Sequence, residues 1–122
     1  MAVGARVKKK DEVQPTRYYS KKQEDAVAKN LNGKRTPNSG ATPFVKGDVL
    51  LDDWLLECKT CTKKQNSFSI KKDWILKNRE EQMFMNKDNS AVVFNFGPDE
   101  ENFYIIDERT FKMLIQSCIT ED

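Results

Sequence analysis

A chain of 122 residues with 38% hydrophobic content can furnish one modest core, so the sequence reads as a single ordinary domain and not two. The net charge of +2 hides an asymmetry: residues 1–47 hold 11 Lys/Arg against 4 Asp/Glu, a net of +7, and residues 48–122 hold 10 against 15, a net of −5. A phosphate-binding surface would draw on the first part and metal-binding carboxylates on the second, while the absence of histidine excludes Ser-His-Asp hydrolysis and His-ligated zinc. Met1 to Lys10 contain no apolar run suited to a signal peptide, and nowhere do about 18 apolar residues follow one another. Three cysteines fit reduced thiols better than a disulfide framework. The expectation is a soluble, intracellular, cytoplasmic protein with no membrane partner.

Residues 1–17 are small, basic or polar, with Lys8-Lys9-Lys10 and Pro15, and predict a flexible basic N-terminal arm ahead of one domain over 18–122. Such an arm either adds nonspecific affinity for nucleic acid or is only a solvated terminus. Ser20-Lys21-Lys22-Gln23 has the form of a capping box, which predicts a helix from about Lys21 to Asn32-Gly33. Glu24, Val27, Ala28 and Leu31 recur on one face of it. A carboxylate on an inward stripe sits either at a wet rim or beside a cation, because burying it unpaired is costly. The polar stretch from Lys34 to Pro43 predicts a loop with room for a short edge strand, and its bases, hydroxyls and glycine suit either a phosphate-approaching backbone or an ordinary connector.

The stretch from Gly47 to Lys59 predicts a hairpin. With a two-residue turn at Asp52-Asp53, Leu51 faces Trp54 and Asp48 faces Glu57. Two carboxylates in that relation have Cβ atoms roughly 4.5–5.5 Å apart, and at about 5 Å with an effective dielectric near 20 their repulsion is about 3 kcal/mol. A divalent cation offsets it, and hard carboxylate oxygens are what Mg²⁺ accepts. Strand alternation puts Lys59 on the face of Glu57, with Leu56 and Cys58 turned to the core. The ammonium then stands next to the paired acids.

Beyond a loop at Thr60 to Asn66, Ser67 or Ser69 predicts the cap of a helix running to about Met85, with Ile70, Trp74 and Ile75 on its buried side and Met83 and Phe84 near its end. Asp88-Asn89-Ser90 predicts a turn, Ala91 to Phe96 a strand ended by Gly97-Pro98, and Phe103 to Ile106 a second strand pairing with it. Asp107 predicts the cap of a last helix in which Phe111, Leu114, Ile115 and Cys118 share a face.

Helix, loop, hairpin with Asp48 and Glu57-x-Lys59, helix, strand, strand, helix: this order resembles the PD-(D/E)xK, or restriction-endonuclease-like, nuclease superfamily over roughly residues 20–106. Gly47 stands where the superfamily name has proline. The resemblance implies an α/β fold, a mixed β-sheet flanked by helices with an αβββαβ core, here followed by a C-terminal helix. It implies a metal-dependent endodeoxyribonuclease in which Glu24, Asp48, Glu57 and Lys59 are catalytic. Glu24, Asp48, Glu57 and the main-chain carbonyl of Cys58 would hold Mg²⁺, with Mn²⁺ as a substitute. The small size, the first-helix glutamate and the basic Gly/Ser loop look most like archaeal and phage-type Holliday-junction resolvases, which implies a homodimer acting on branched DNA, a four-way junction above all. Lys34, Arg35, Ser39 and Lys46 are then the candidates for backbone phosphate contacts.

Three rivals stand beside this expectation. One is another nuclease of the same fold, of nicking, repair or restriction type, although no extra domain for reading base sequence is apparent. Another is a nucleic-acid-binding module that keeps the fold without cleaving. The third is a zinc or redox site at Cys58-x-x-Cys61, but with Cys118 the one further thiol four-ligand zinc would need an acidic ligand or a partner chain, and Cys58 reads as a core residue.

Overall fold

The computed structural model describes residues 16–36 and 48–120. It is a mixed α/β arrangement in the order α1 (Thr16–Leu31), β1 (Lys34–Arg35), β2 (Val49–Leu50), β3 (Trp54–Lys59), α2 (Lys72–Phe84), β4 (Asn89–Phe94), β5 (Phe103–Ile105) and α3 (Glu108–Thr120). The five strands form one sheet in sequence order. β1, β2 and β3 run as an antiparallel meander, β3 and β4 are parallel with α2 as their crossover, and β5 returns antiparallel to β4.

β3 and β4 are the central strands and are covered on both faces, so they read as apolar runs and not as a clean alternation. On one face Val27 of α1 packs with Val49, Leu56, Cys58, Ala91 and Val93. Each such side chain, fully enclosed, contributes about 1.5–3 kcal/mol if aliphatic and large. On the other face Leu55 and Val92 are buried beneath α2, and Asn78 of α2 donates its Nδ2 to the Ala91 carbonyl at 3.1 Å. The helix thus ties itself to the strand it crosses beside.

The hairpin has the expected register, with Val49 opposite Leu56 and Leu50 opposite Leu55, and Leu51 N–H donating to the Trp54 carbonyl at 3.0 Å. β1 is the short edge strand that the stretch after Gly33 has room for. Asp107 caps α3 by accepting the Thr110 N–H at 2.8 Å. α1 stops where expected, but Asn32, at φ 60°, supplies the left-handed residue, and the Gly33 N–H closes the end on the Ala28 carbonyl at 2.8 Å. Gly33 answers to a close approach: a Cβ there would lie 2.8 Å from the Leu50 carbonyl oxygen and meet the Leu51 side chain.

Several expectations need correction. α1 begins at Thr16, more than a turn before Lys21, so Ser20 lies within the helix. Gln23 is not the reciprocal half of a capping box, because its side chain is buried against β3. Leu31 is exposed at the frayed end, away from the core that Val27 reaches. Neither Ser67 nor Ser69 caps α2, which starts from an extended Lys71 with no side-chain cap. Phe68 between them packs on Trp74 and Phe94 in tilted contacts, at 6.2 and 5.3 Å between ring centres. Met83 and Phe84 face outward, since the inward stripe of α2 runs through Trp74, Asn78 and Glu81. Asn89 and Ser90 belong to β4, opposite Trp54 and Leu55, and do not form a turn. The apolar stripe of α3 is exposed along its length. Of the arm expected over 1–17, Thr16 and Arg17 belong to α1, and the rest of it, with most of the basic loop, Ser39 and Lys46, lies outside the described residues.

Among the described residues, no helix is long and apolar enough to cross a membrane.

Candidate functional site

The site residues gather where β2 ends beside β3. Asp48 immediately precedes β2, and its own N–H donates to the Leu56 carbonyl at 2.9 Å although Val49 is the register partner of Leu56. Two consecutive residues thus address one, and the regular ladder stops before Glu57. In place of the next backbone bond, Asp48 Oδ2 accepts the Cys58 N–H at 2.7 Å. The carboxylate does not simply face Glu57 across the hairpin, as a regular register has it; it bends back to cap the β3 backbone.

Within a strand the N–H and C=O of one residue point to the same side. The Cys58 carbonyl therefore points past the end of β2 on the Asp48 side, as its N–H does. The Cys58 thiol is buried in the core and pushed above its ordinary range by that burial, so the sulfur is an inert packing group. Glu57 and Lys59 share the face opposite Cys58 and form an ion pair at 3.4 Å, both largely shielded from solvent. Lys59 Nζ also stands 4.6 Å above the Trp74 ring of α2, a cation–π contact that fixes the ammonium over the sheet.

Burial pushes Glu57 up to about 7, with the Asp48 charge adding to the rise and Lys59 opposing it. Asp48 is raised by burial as well, against the pull of the Cys58 N–H and Lys59. Glu24, half-buried on α1, is raised by burial and then by Asp48, while Arg35 opposes the shift. Arg35 holds Glu24 at 3.4 Å and Asp25 at 3.2 Å, so β1 is tied to α1 by its guanidinium. Asp48 is thus the hub whose charge bears on both glutamates.

Among the described residues, no three His, Cys, Asp or Glu side chains are gathered closely enough to hold a metal ion as they stand. Each carboxylate is engaged elsewhere: Asp48 with a backbone N–H, Glu57 with Lys59, Glu24 with Arg35. The donor chemistry nonetheless fits a hard cation at the Asp48–Glu57 pair. Two half-buried carboxylates, each raised by burial, share the one ammonium of Lys59, and a main-chain carbonyl points the same way.

Lys34 and Arg35 stand exposed on edge strand β1, next to this end of the sheet. Two residues escaped the sequence reading. Glu81 of α2 raises both Asp48 and Glu57 by its charge. Its signal is its place one turn beyond Asn78 and two beyond Trp74 on an inward stripe, the argument that singles out Glu24. Gln23 donates Nε2 to the Lys59 carbonyl at 2.8 Å and to Asn102 Oδ1 at 3.2 Å. Asn102 in turn accepts from Asn95 at 3.3 Å, and Asn95 accepts the Thr60 hydroxyl at 2.6 Å, a polar chain that fixes the end of β3 behind Lys59. A glutamine within a capping-box pattern gave no sign of this role.

Compared with family models, with curated proteins and with solved structures, the chain matches none.

Proposed function

We propose that the protein is a Mg²⁺-dependent, structure-specific DNA endonuclease of the restriction-endonuclease-like class, acting as a homodimer on branched DNA such as a four-way junction. The observation that carries this reading is the Asp48, Glu57 and Lys59 constellation at the open end of the β2–β3 hairpin, with Glu57 pushed up to about 7 by burial and by the Asp48 charge. The element order supports it, since an α1 helix, a three-stranded meander, a crossover helix and a parallel β4 are the αβββαβ sequence that the resemblance implies. Nucleic acid as substrate is supported by the net +7 of residues 1–47 and by Lys34 and Arg35 beside the site.

Asp48, Glu57 and the Cys58 carbonyl would hold the ion, with Glu24 behind Asp48. When bound, Mg²⁺ supplies electrophilic activation of the phosphate and acidifies a coordinated water. Lys59, which pairs with Glu57 at 3.4 Å, would direct its N–H donors at the negative charge developing on the phosphate oxygens. Trp74 keeps that ammonium over the site. Gln23 holds the Lys59 backbone, so the side chain has a fixed root. Lys34 and Arg35 position the sugar-phosphate backbone without reading sequence.

A second reading is favoured by one observation, that each carboxylate already has a partner: a nucleic-acid-binding module of this fold that does not cleave. One gel assay separates the readings, with Mg²⁺ and a four-way junction, a flap, single strands and linear duplex of matched sequence. Paired symmetrical nicks in the junction alone support the resolvase; cleavage of the flap or duplex points to another nuclease of the fold; binding without cleavage points to the module.

A further inference from the structure

Among the helices of the described residues, α3 alone does not lay its apolar face on the sheet. Every residue from Glu108 to Ile119 is exposed except Thr110, although Phe111, Leu114, Ile115, Cys118 and Ile119 share one side. At 3.6 residues per turn these five span an arc of roughly 140°. Met113 lies on the opposite side, where it joins Arg109 and Thr110 in lining a cleft against the end of α2. The apolar arc therefore points away from the body of its own domain. A helix of 13 residues with such an arc uncovered is marginal by itself, since isolated helices shorter than about 12–15 residues gain too little from their own hydrogen bonds.

We infer that this face packs against the same face of a second copy of the chain, helix antiparallel to helix about a twofold axis near Leu114 and Ile115. The stripe is self-complementary in that orientation, because Phe111 then meets the partner's Ile119 while Leu114 and Ile115 meet at the axis. Area agrees. Phe111 is 56% exposed, Ile119 60%, Ile115 44% and Leu114 39%, and an aromatic ring alone buries about 150–250 Å² when enclosed, so the stripe leaves on the order of a few hundred Å² per copy. A pair, with its polar rim, reaches the roughly 1,000 Å² that a specific interface needs. A membrane surface fits less well, because interfacial helices carry many bases on the polar side and α3 carries Arg109 and Lys112 alone.

The surface gives the homodimer of the proposed function its contact but does not rest on phosphodiester chemistry; a dimer that fails to cleave DNA leaves it standing and removes the nuclease reading. The test is sedimentation of the full chain over a range of concentrations and salt, with circular dichroism to check each fold. Wild type should be dimeric. Ile115→Glu should raise the dissociation constant at least about 30-fold, the shift that follows from losing a central anchor of about 2 kcal/mol. Met113→Glu, on the other side of the helix, should leave it within a few-fold. A wild type that stays monomeric throughout overturns the inference, whether or not it binds anionic vesicles. So does an Ile115→Glu chain that remains as dimeric as wild type, or a Met113→Glu chain that dissociates equally.

Discussion

Glu57 makes the charge state of the site measurable as stability. Its carboxyl is raised from 4.5 to about 7 by burial and by Asp48, so the folded chain holds this proton more tightly than the unfolded chain does. The contribution is fully present below the unfolded value and is lost as pH rises through the folded one. Stability should therefore fall between about pH 4.5 and about 7, by about 3 kcal/mol for a shift of this size. Asp48, also raised, adds in the same direction. Asp107 is lowered and runs the other way, but below its ordinary 3.8 and outside this window. Glu57→Gln removes the ionisation and also the 3.4 Å pair with Lys59, a partly exposed contact contributing under about 1 kcal/mol. Above pH 7 without divalent cation the variant should be more stable than wild type by about 2 kcal/mol, a rise in Tm of roughly 5–10 °C. Urea denaturation across the window reads this directly. Saturating Mg²⁺ should then stabilise wild type, by about 2.7 kcal/mol at a hundred times Kd, and Glu57→Gln far less. A wild-type profile that is flat or rises from pH 5 to 8, or a variant less stable than wild type at pH 8 in chelator, would refute the reasoning; equal stabilisation of both by Mg²⁺ would place the ion elsewhere.

On the proposed nuclease mechanism, in which the ammonium would act on developing charge and not on affinity, Lys59→Ala should abolish Mg²⁺-dependent cleavage in a gel assay while DNA binding stays within a few-fold; full activity would remove Lys59 from the mechanism. Replacing Lys34 and Arg35 by Ala should flatten the salt dependence of DNA binding by about one unit of slope per lost phosphate contact, and an unchanged slope would move the DNA surface away from β1. Gly33→Ala should destabilise the chain by more than about 1 kcal/mol in urea, since its Cβ would press on the Leu50 carbonyl and the Leu51 side chain, neither of which can retreat without shifting β2.

Where local pattern and tertiary packing agree, the elements stand as the residues announce them. The Asp52-Asp53 turn gives the hairpin its register because apolar residues on both strands must meet the same core. Asp107 caps α3 because an aspartate with a free backbone donor three residues on is a local matter. Failures fall where a side chain has better use far off in sequence. Ser20 and Gln23 make a valid capping box on paper, but Gln23 is bound to the Lys59 carbonyl, 36 residues away, and the helix simply starts earlier. Ser67 and Ser69 do not cap α2, because Phe68 between them is packed on Phe94 and Trp74 and the helix starts only after an extended Lys71.

The same division runs through the site. That Glu57 and Lys59 share a face follows from strand alternation alone, and the structure keeps it. That Asp48 opposes Glu57 follows from the ladder alone, and the structure changes it, because an aspartate at the end of a short strand can cap a backbone N–H that its neighbour strand would otherwise leave bare. Glu24 and Glu81 complete the argument from opposite sides. Each sits on the inward stripe of its helix, α1 below the sheet and α2 above it, and each raises a strand carboxylate by its charge or is raised by one. Two helices that both turn a glutamate toward the same strand end, where Asp48 and Glu57 already repel, accumulate negative charge that Arg35 and Lys59 balance only in part. Such an excess of carboxylate is a poor way to stabilise a fold and a good way to prepare a site for a divalent cation.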